Sequence, residues 1–195
     1  MRYGDLVLFT GPMFAGKTNA MVREILFRTY FTGPTGVAIY KIAFDNRFDE
    51  TCLVSHDGLR VQATRVSHAR QIVPAGLQFA FFDEIQFFSD PNFEGEVVEC
   101  IRTLRGSGVD VFCAGLDMDY LGRAFEVTAL LMAEATRIER LTARCSCCAA
   151  PATHTARIDR DSDRFVLGSG ETYSAMCAQH WFSDLRSNRT EDELS

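Results

Sequence analysis

Short apolar runs alternate along this chain with longer stretches in which apolar residues recur at helical spacing, the signature of buried strands and amphipathic helices. Leu6-Val7-Leu8-Phe9 is the first run, and Met21, Val22, Ile25, Leu26 and Tyr30 follow on a helical period. Gly33-Pro34-Thr35-Gly36 makes a turn before Val37-Ala38-Ile39-Tyr40, a second strand. A strand is predicted over 59–64, a short helix over 66–73 and a strand at Gln78-Phe79-Ala80-Phe81-Phe82. Phe93, Val97, Cys100, Ile101 and Leu104 mark one face of a helix over 93–104, ended by Gly106-Ser107-Gly108. Strands over 109–114 and 136–141 bracket a helix over 125–135. Strands alternating with helices in this way imply a parallel sheet flanked by helices, an α/β fold.

The segments that break the pattern carry the chemistry. Gly11-Pro12-Met13-Phe14-Ala15-Gly16-Lys17-Thr18 sits between the first strand and first helix and fits the phosphate-binding loop. Backbone N–H groups there form a concave anion site, Lys17 adds positive charge, and the Thr18 hydroxyl is placed for a magnesium ion. The fold expected is therefore a P-loop NTPase-like parallel sheet. The strand at 78–82 runs directly into Asp83-Glu84, a carboxylate pair at the sheet edge where such proteins hold magnesium and a base. Residues 41–58 form a long charged excursion, and residues 115–125 mix charges with large apolar groups at another strand end.

Near the C-terminus the pattern changes. Cys145-x-x-Cys148 and Cys177-x-x-His180 are two chelating pairs that together make a tetrahedral zinc site, with Cys147 as an alternative sulfur. Four protein ligands leave no open position, so the zinc reads as a structural staple. We divide the chain into a nucleotide-binding domain over 1–141, a small C-terminal zinc-binding lobe over 142–184 and a disordered tail over 185–195.

Composition narrows the function. In 195 residues, 20 Lys and Arg stand against 26 Asp and Glu, a net charge of −6, which disfavours nucleic acid as a partner. No apolar run approaches a bilayer's thickness and no leader pattern opens the sequence, so no membrane association is expected. Seven cysteines, an odd number, fit a reducing compartment and a cytoplasmic protein.

Together these motifs resemble the zinc-containing (type II) thymidine kinases across nearly the whole chain. The likeness rests on the phosphate loop, on Lys41 with Asp45-Asn46-Arg47, on Ser55-His56-Asp57-Gly58, on Asp83-Glu84-Ile85-Gln86-Phe87-Phe88 and on Gly115-Leu116-Asp117 through Phe125. In the lobe it rests on the Cys/His pairs with Ala152, Thr155, Arg157, Val166-Leu167-Gly168 and Glu171-x-Tyr173. The resemblance implies ATP and Mg2+ as well as Zn2+, transfer of the ATP γ-phosphate to the 5′-hydroxyl of thymidine, and a homo-tetramer. It makes Glu84 the base, places Lys17 and Arg47 on the transferring phosphoryl group, and sets Thr18, Asp83 and Asp45 near magnesium. Met13, Phe87, Leu116, Tyr120, Phe125, Thr155, Val166, Gly168 and Tyr173 would line the nucleoside site, partly through a flap from the zinc lobe. The chain departs from the family at Ala15 for Ser, Phe48 for Tyr, Ala124 for Pro and Ala149 for Gly. Two other readings stay open: a zinc-lobed P-loop ATPase that binds nucleic acid or acts as a regulatory switch, opposed by the acidic charge, and a silent assembly protein, opposed by intact Lys17, Asp83 and Glu84.

Overall fold

The computed structural model describes residues 2–43, 52–54, 58–158 and 172–192, with side chains of the last segment to 186. Its elements are β1 (Leu6–Thr10), α1 (Lys17–Thr32), β2 (Val37–Ile42), β3 (Cys52–Val54), β4 (Arg60–Gln62), β5 (Thr64–Val66), β6 (Phe79–Phe82), α2 (Val97–Gly106), β7 (Asp110–Gly115), α3 (Glu126–Glu134) and β8 (Arg137–Arg140). The lobe adds β9 (Ala143–Arg144), β10 (Pro151–Ala152), β11 (His154–Arg157), β12 (Tyr173–Met176) and α4 (Ala178–Asp192).

Six strands form one sheet in the order β5-β2-β6-β7-β1-β8, and every neighbouring pair is parallel. A parallel sheet is buried on both faces, which the alternation along β1 shows directly. Leu6 and Leu8 join Phe82, Val111, Ile101 and Leu131 in one core, between the sheet and α2 and α3. Val7 and Phe9 join Phe81, Phe112, Met21, Val22 and Ile25 in the other, under α1. The helical face of α1 is narrower than the sequence spacing suggests: Met21, Val22 and Ile25 are buried, whereas Leu26 and Tyr30 are exposed.

Local differences from the sequence reading have tertiary causes. The strand expected over 59–64 divides, with β4 pairing antiparallel to β3 while β5 joins the main sheet. The helix expected over 66–73 reduces to a single 3-10 turn, Ala69–Gln71. Here the Gln71 side chain accepts the N–H groups of Ser67 and His68, and Glu94 exchanges backbone bonds with Ser67 and Ala69. That pairing also holds Glu94 extended and puts Gly95 at φ 95°, so α2 starts at Val97 rather than Phe93. Beyond the lobe, α4 continues as helix through 185–192, where a disordered tail was expected.

Phe81 and Phe112 stack at 4.8 Å between centroids, each at most 1% exposed, directly beneath α1. Phe112→Ala is expected to lower the unfolding free energy by about 3–5 kcal/mol, read from the midpoint of urea denaturation.

Candidate active site and metal knuckle

The parallel arrangement brings the informative loops to one edge. β7 lies between β1 and β6, so the loop after β1 and the carboxylates after β6 stand about 10 Å apart across two strand spacings. The register aligns Leu8 with Cys113 and Cys113 with Phe82, so Asp83-Glu84 and Gly11 leave the sheet at nearly the same level. This edge is where ligands bind in open α/β sheets.

Backbone geometry makes the loop concave. Phe14 and Gly16 both take left-handed conformations, at φ 64° and 81°, and α1 begins at Lys17. Alternation of hand turns successive N–H groups inward, and the helix N-terminus adds its dipole. Gly11 fits a tight passage: a Cβ would lie 2.2 Å from the Leu141 carbonyl oxygen. The Lys17 ammonium, 9% exposed, donates to the Pro12 carbonyl at 2.7 Å and so lies across the loop itself.

Glu84 is in a left-handed conformation at φ 51°, uncommon for a side chain of this kind and characteristic of functional positions. Its carboxylate accepts a hydrogen bond from the Gln86 amide at 2.6 Å, and the same amide's oxygen accepts the N–H of Leu116 at 3.0 Å. Gln86 is fully buried. A single side chain therefore links the carboxylate to the first part of the 115–125 loop. Asp83, 9% exposed, is anchored through its N–H to the Tyr40 carbonyl.

The 115–125 loop closes on itself. Asp119 accepts the N–H groups of Leu121 and Arg123, and Met118 bridges to Ala124. Asp117 receives the Arg140 guanidinium at 3.0 Å, which fastens the loop to β8. From the lobe, Arg157 lays its guanidinium over the Tyr120 ring at 5.5 Å. The Thr155 hydroxyl accepts the N–H of Met13 at 3.0 Å, so a strand of the lobe touches the phosphate loop directly.

Among the described residues the lobe's apolar cluster is small: Cys145, Ala152 and Ala175 with half-buried Ala143, Met176 and Cys177, beside buried Ala156 and Tyr173. Small clusters of this kind commonly draw further stability from a bound metal. The ligand atoms of Cys145, Cys148, Cys177 and His180 all lie within 4.8 Å of one another. A tetrahedral zinc with sulfur ligands at about 2.3 Å needs ligand atoms about 3.8 Å apart. Observed separations are 3.9 Å for Cys148 to Cys177, 3.7 Å for Cys145 to His180 and 3.2 Å for Cys177 to His180. The donors and spacing fit zinc. Cys147 is exposed, its sulfur 3.8 Å from the Ser146 hydroxyl, and is not one of the four clustered donors. Backbone N–H groups, that of Cys177 foremost, pull the Cys145 thiol down to about 6, towards the thiolate a metal requires.

A match to the family described as thymidine kinase spans residues 4–181, taking in both the sheet-edge site and the knuckle. The chain belongs to the thymidine kinase family. A thymidine kinase of Thermococcus kodakarensis (strain ATCC BAA-918 / JCM 12380 / KOD1) is 34% identical over 191 residues, covering 91% of this chain and 93% of that protein.

In this member of the thymidine kinase family, most of the residues singled out in the sequence gather at the sheet edge or on the lobe strand that meets it. Lys17, Met13, Asp83, Glu84, Leu116, Tyr120 and Thr155 do so, while Phe125 and Tyr173 are buried beside them on the loop and on β12. Phe87 is 7% exposed and belongs to the main core beneath the sheet. Asp45, Arg47, Val166 and Gly168 lie outside the described residues, as does Phe48. Sequence reasoning named Gln86 only as part of the carboxylate motif, with no role of its own, and did not single out Trp181. Gln86 carries a signal, an amide two residues beyond a candidate base inside an otherwise apolar run.

Ala149, where the family favours glycine, is left-handed at φ 61° just after Cys148. A side chain there costs about 1–2 kcal/mol, partly offset by glycine's greater freedom when unfolded. Ala149→Gly is expected to stabilise the metal-loaded lobe by about 0.5–1 kcal/mol, seen as a higher melting temperature; an unchanged or lower value would count against strain at the knuckle.

Proposed function

We propose that this chain transfers the γ-phosphoryl group of ATP to the 5′-hydroxyl of thymidine, giving thymidine monophosphate and ADP. The observation that carries the reading is Glu84, held by Gln86 at the same sheet edge as the phosphate loop and beside the 115–125 loop. Glu84 takes the proton of the 5′-hydroxyl as that oxygen forms its bond to the γ-phosphorus. The bond from phosphorus to the β,γ-bridging oxygen breaks, and ADP leaves with that electron pair. Lys17 and Arg47 neutralise charge on the transferring group, since phosphoryl transfer depends chiefly on positioning and electrostatics. Gly11, Pro12, Met13, Phe14, Ala15 and Gly16 offer main-chain donors to the phosphates. Thr18, Asp83 and Asp45 would hold magnesium, which would offset the charge of the phosphates when bound.

On the acceptor side, Leu116, Tyr120, Phe125, Thr155, Val166, Gly168 and Tyr173, with Met13, enclose the nucleoside, while Phe87 backs this wall from the core. Cys145, Cys148, Cys177 and His180 hold one structural zinc. Neither an ATPase switch on nucleic acid nor a silent assembly protein accounts for the family match together with Lys17, Asp83 and Glu84. No helix among the described residues is long and apolar enough to cross a membrane, and a cytoplasmic site of action goes with this reading. So does a homo-tetramer, for which Phe27, Tyr30 and Phe31 at the end of α1 offer exposed apolar surface.

Glu84→Gln is expected to lower kcat at least a hundredfold with ATP affinity within twofold of the parent, measured by turnover and by binding of a non-hydrolysable ATP analogue. Turnover like the parent's would remove Glu84 as the base. Metal analysis is expected to give one zinc per chain, and light scattering a mass of four chains; metal-free folded protein or a monomer would overturn those parts separately.

A further inference from the structure

Trp181 is the only tryptophan in the chain and sits in the first turn of α4, immediately after His180. Its indole N–H donates to the Tyr120 carbonyl at 3.0 Å. Its ring stacks on His154 of β11, 4.3 Å between centroids and 24° from parallel. Against its edge lies Gly122, where a Cβ would come within 2.8 Å of Cη2 and 2.9 Å of Cζ2, at a backbone φ of +77°. The backbone N–H of Trp181 in turn bonds to the Cys177 carbonyl at 3.0 Å, so the residue hangs from the metal knuckle by its main chain.

These contacts hold Tyr120 from both sides. Its carbonyl is fixed by the indole from α4, and its ring lies under the Arg157 guanidinium from β11. Both partners belong to the lobe. A hydrogen bond to the carbonyl orients the peptide plane, and with it the direction of the Tyr120 side chain. Gly122 leaves space for the indole to approach, whereas any side chain would displace one or the other.

We propose that Trp181 is a positioning residue for the nucleoside: a strut that carries the geometry of the Cys/His knuckle to the Tyr120 loop and so sets affinity for thymidine rather than for ATP. This rests on the reading of Tyr120 as part of the nucleoside wall. A residue that merely filled space in the lobe would change stability without separating the two substrates.

The test uses the metal-loaded full chain and compares the parent with Trp181→Phe, Trp181→Ala, Gly122→Ala and the Trp181→Ala/Gly122→Ala double variant. Trp181→Ala is expected to raise the thymidine KM about tenfold, with the ATP KM and zinc content unchanged. Trp181→Phe keeps the stack on His154 and loses the N–H, so about a threefold rise is expected, and it serves if the alanine variant fails to fold. Gly122→Ala is expected to raise the thymidine KM and to red-shift the tryptophan emission as the indole is pushed towards solvent. The double variant is expected to be less than the product of the two single effects, as for residues sharing one contact. Titrating the parent with thymidine alone is expected to change that emission without any turnover. Active parent enzyme with an unchanged thymidine KM in the Trp181 variants, or an equal rise for ATP, overturns the strut. A parent that phosphorylates no thymidine overturns instead the function on which it rests.

Discussion

Strands β6, β7 and β1 run side by side in one direction, and that common direction is the constraint on which the rest depends. In a parallel sheet every strand ends at the same edge, so loops distant in the chain meet without any device beyond backbone pairing. The phosphate loop, the Asp83-Glu84 pair and the 115–125 loop follow β1, β6 and β7 respectively. Burial of both sheet faces fixes the register, because a slip by one residue would exchange the Leu6 and Val7 sides. The positions of Lys17 and Glu84 relative to each other are therefore set by core packing far from either charge.

The lobe follows a different logic. Among its described residues the apolar cluster is small, and four donor atoms gathered within 4.8 Å of one another offer a site through which a metal would order it. What the lobe then presents to the sheet is a short list of polar contacts: Thr155 to Met13, Arg157 over Tyr120 and Trp181 to Tyr120. Directional contacts suit a wall that must be placed rather than merely packed, since each fixes an angle as well as a distance.

Much of this was legible in the sequence because it depends on local rules. Sheet strands β1, β2, β6 and β7 appear as apolar runs, the phosphate loop as a spaced motif and the knuckle as paired Cys/His ligands. Features decided by distant partners were not legible. The late start of α2 follows from Glu94 pairing with Ser67 and Ala69, and the exposure of Leu26 and Tyr30 shows that α1 buries a narrower face than its spacing suggests. Trp181 acts through a long-range hydrogen bond to Tyr120, which leaves no period or spacing to find, and the partner of Gln86 on the 115–125 loop is equally out of reach of a local pattern. Ala149 shows the converse: a family glycine replaced, at a position whose backbone angle explains why glycine is favoured.

The place of β1 in the strand order also bears on synthesis. Although it emerges first, its neighbours are β7, where Leu6 pairs with Val111, and β8, where Val7 pairs with Arg137. At about 5–20 residues per second, ribosomal elongation delays those partners by roughly 5–25 s. Through that interval Leu6-Val7-Leu8-Phe9 has both edges unpaired, an aggregation-prone apolar segment. The sheet edge that carries the phosphate loop is completed only once β7 and β8 have joined β1.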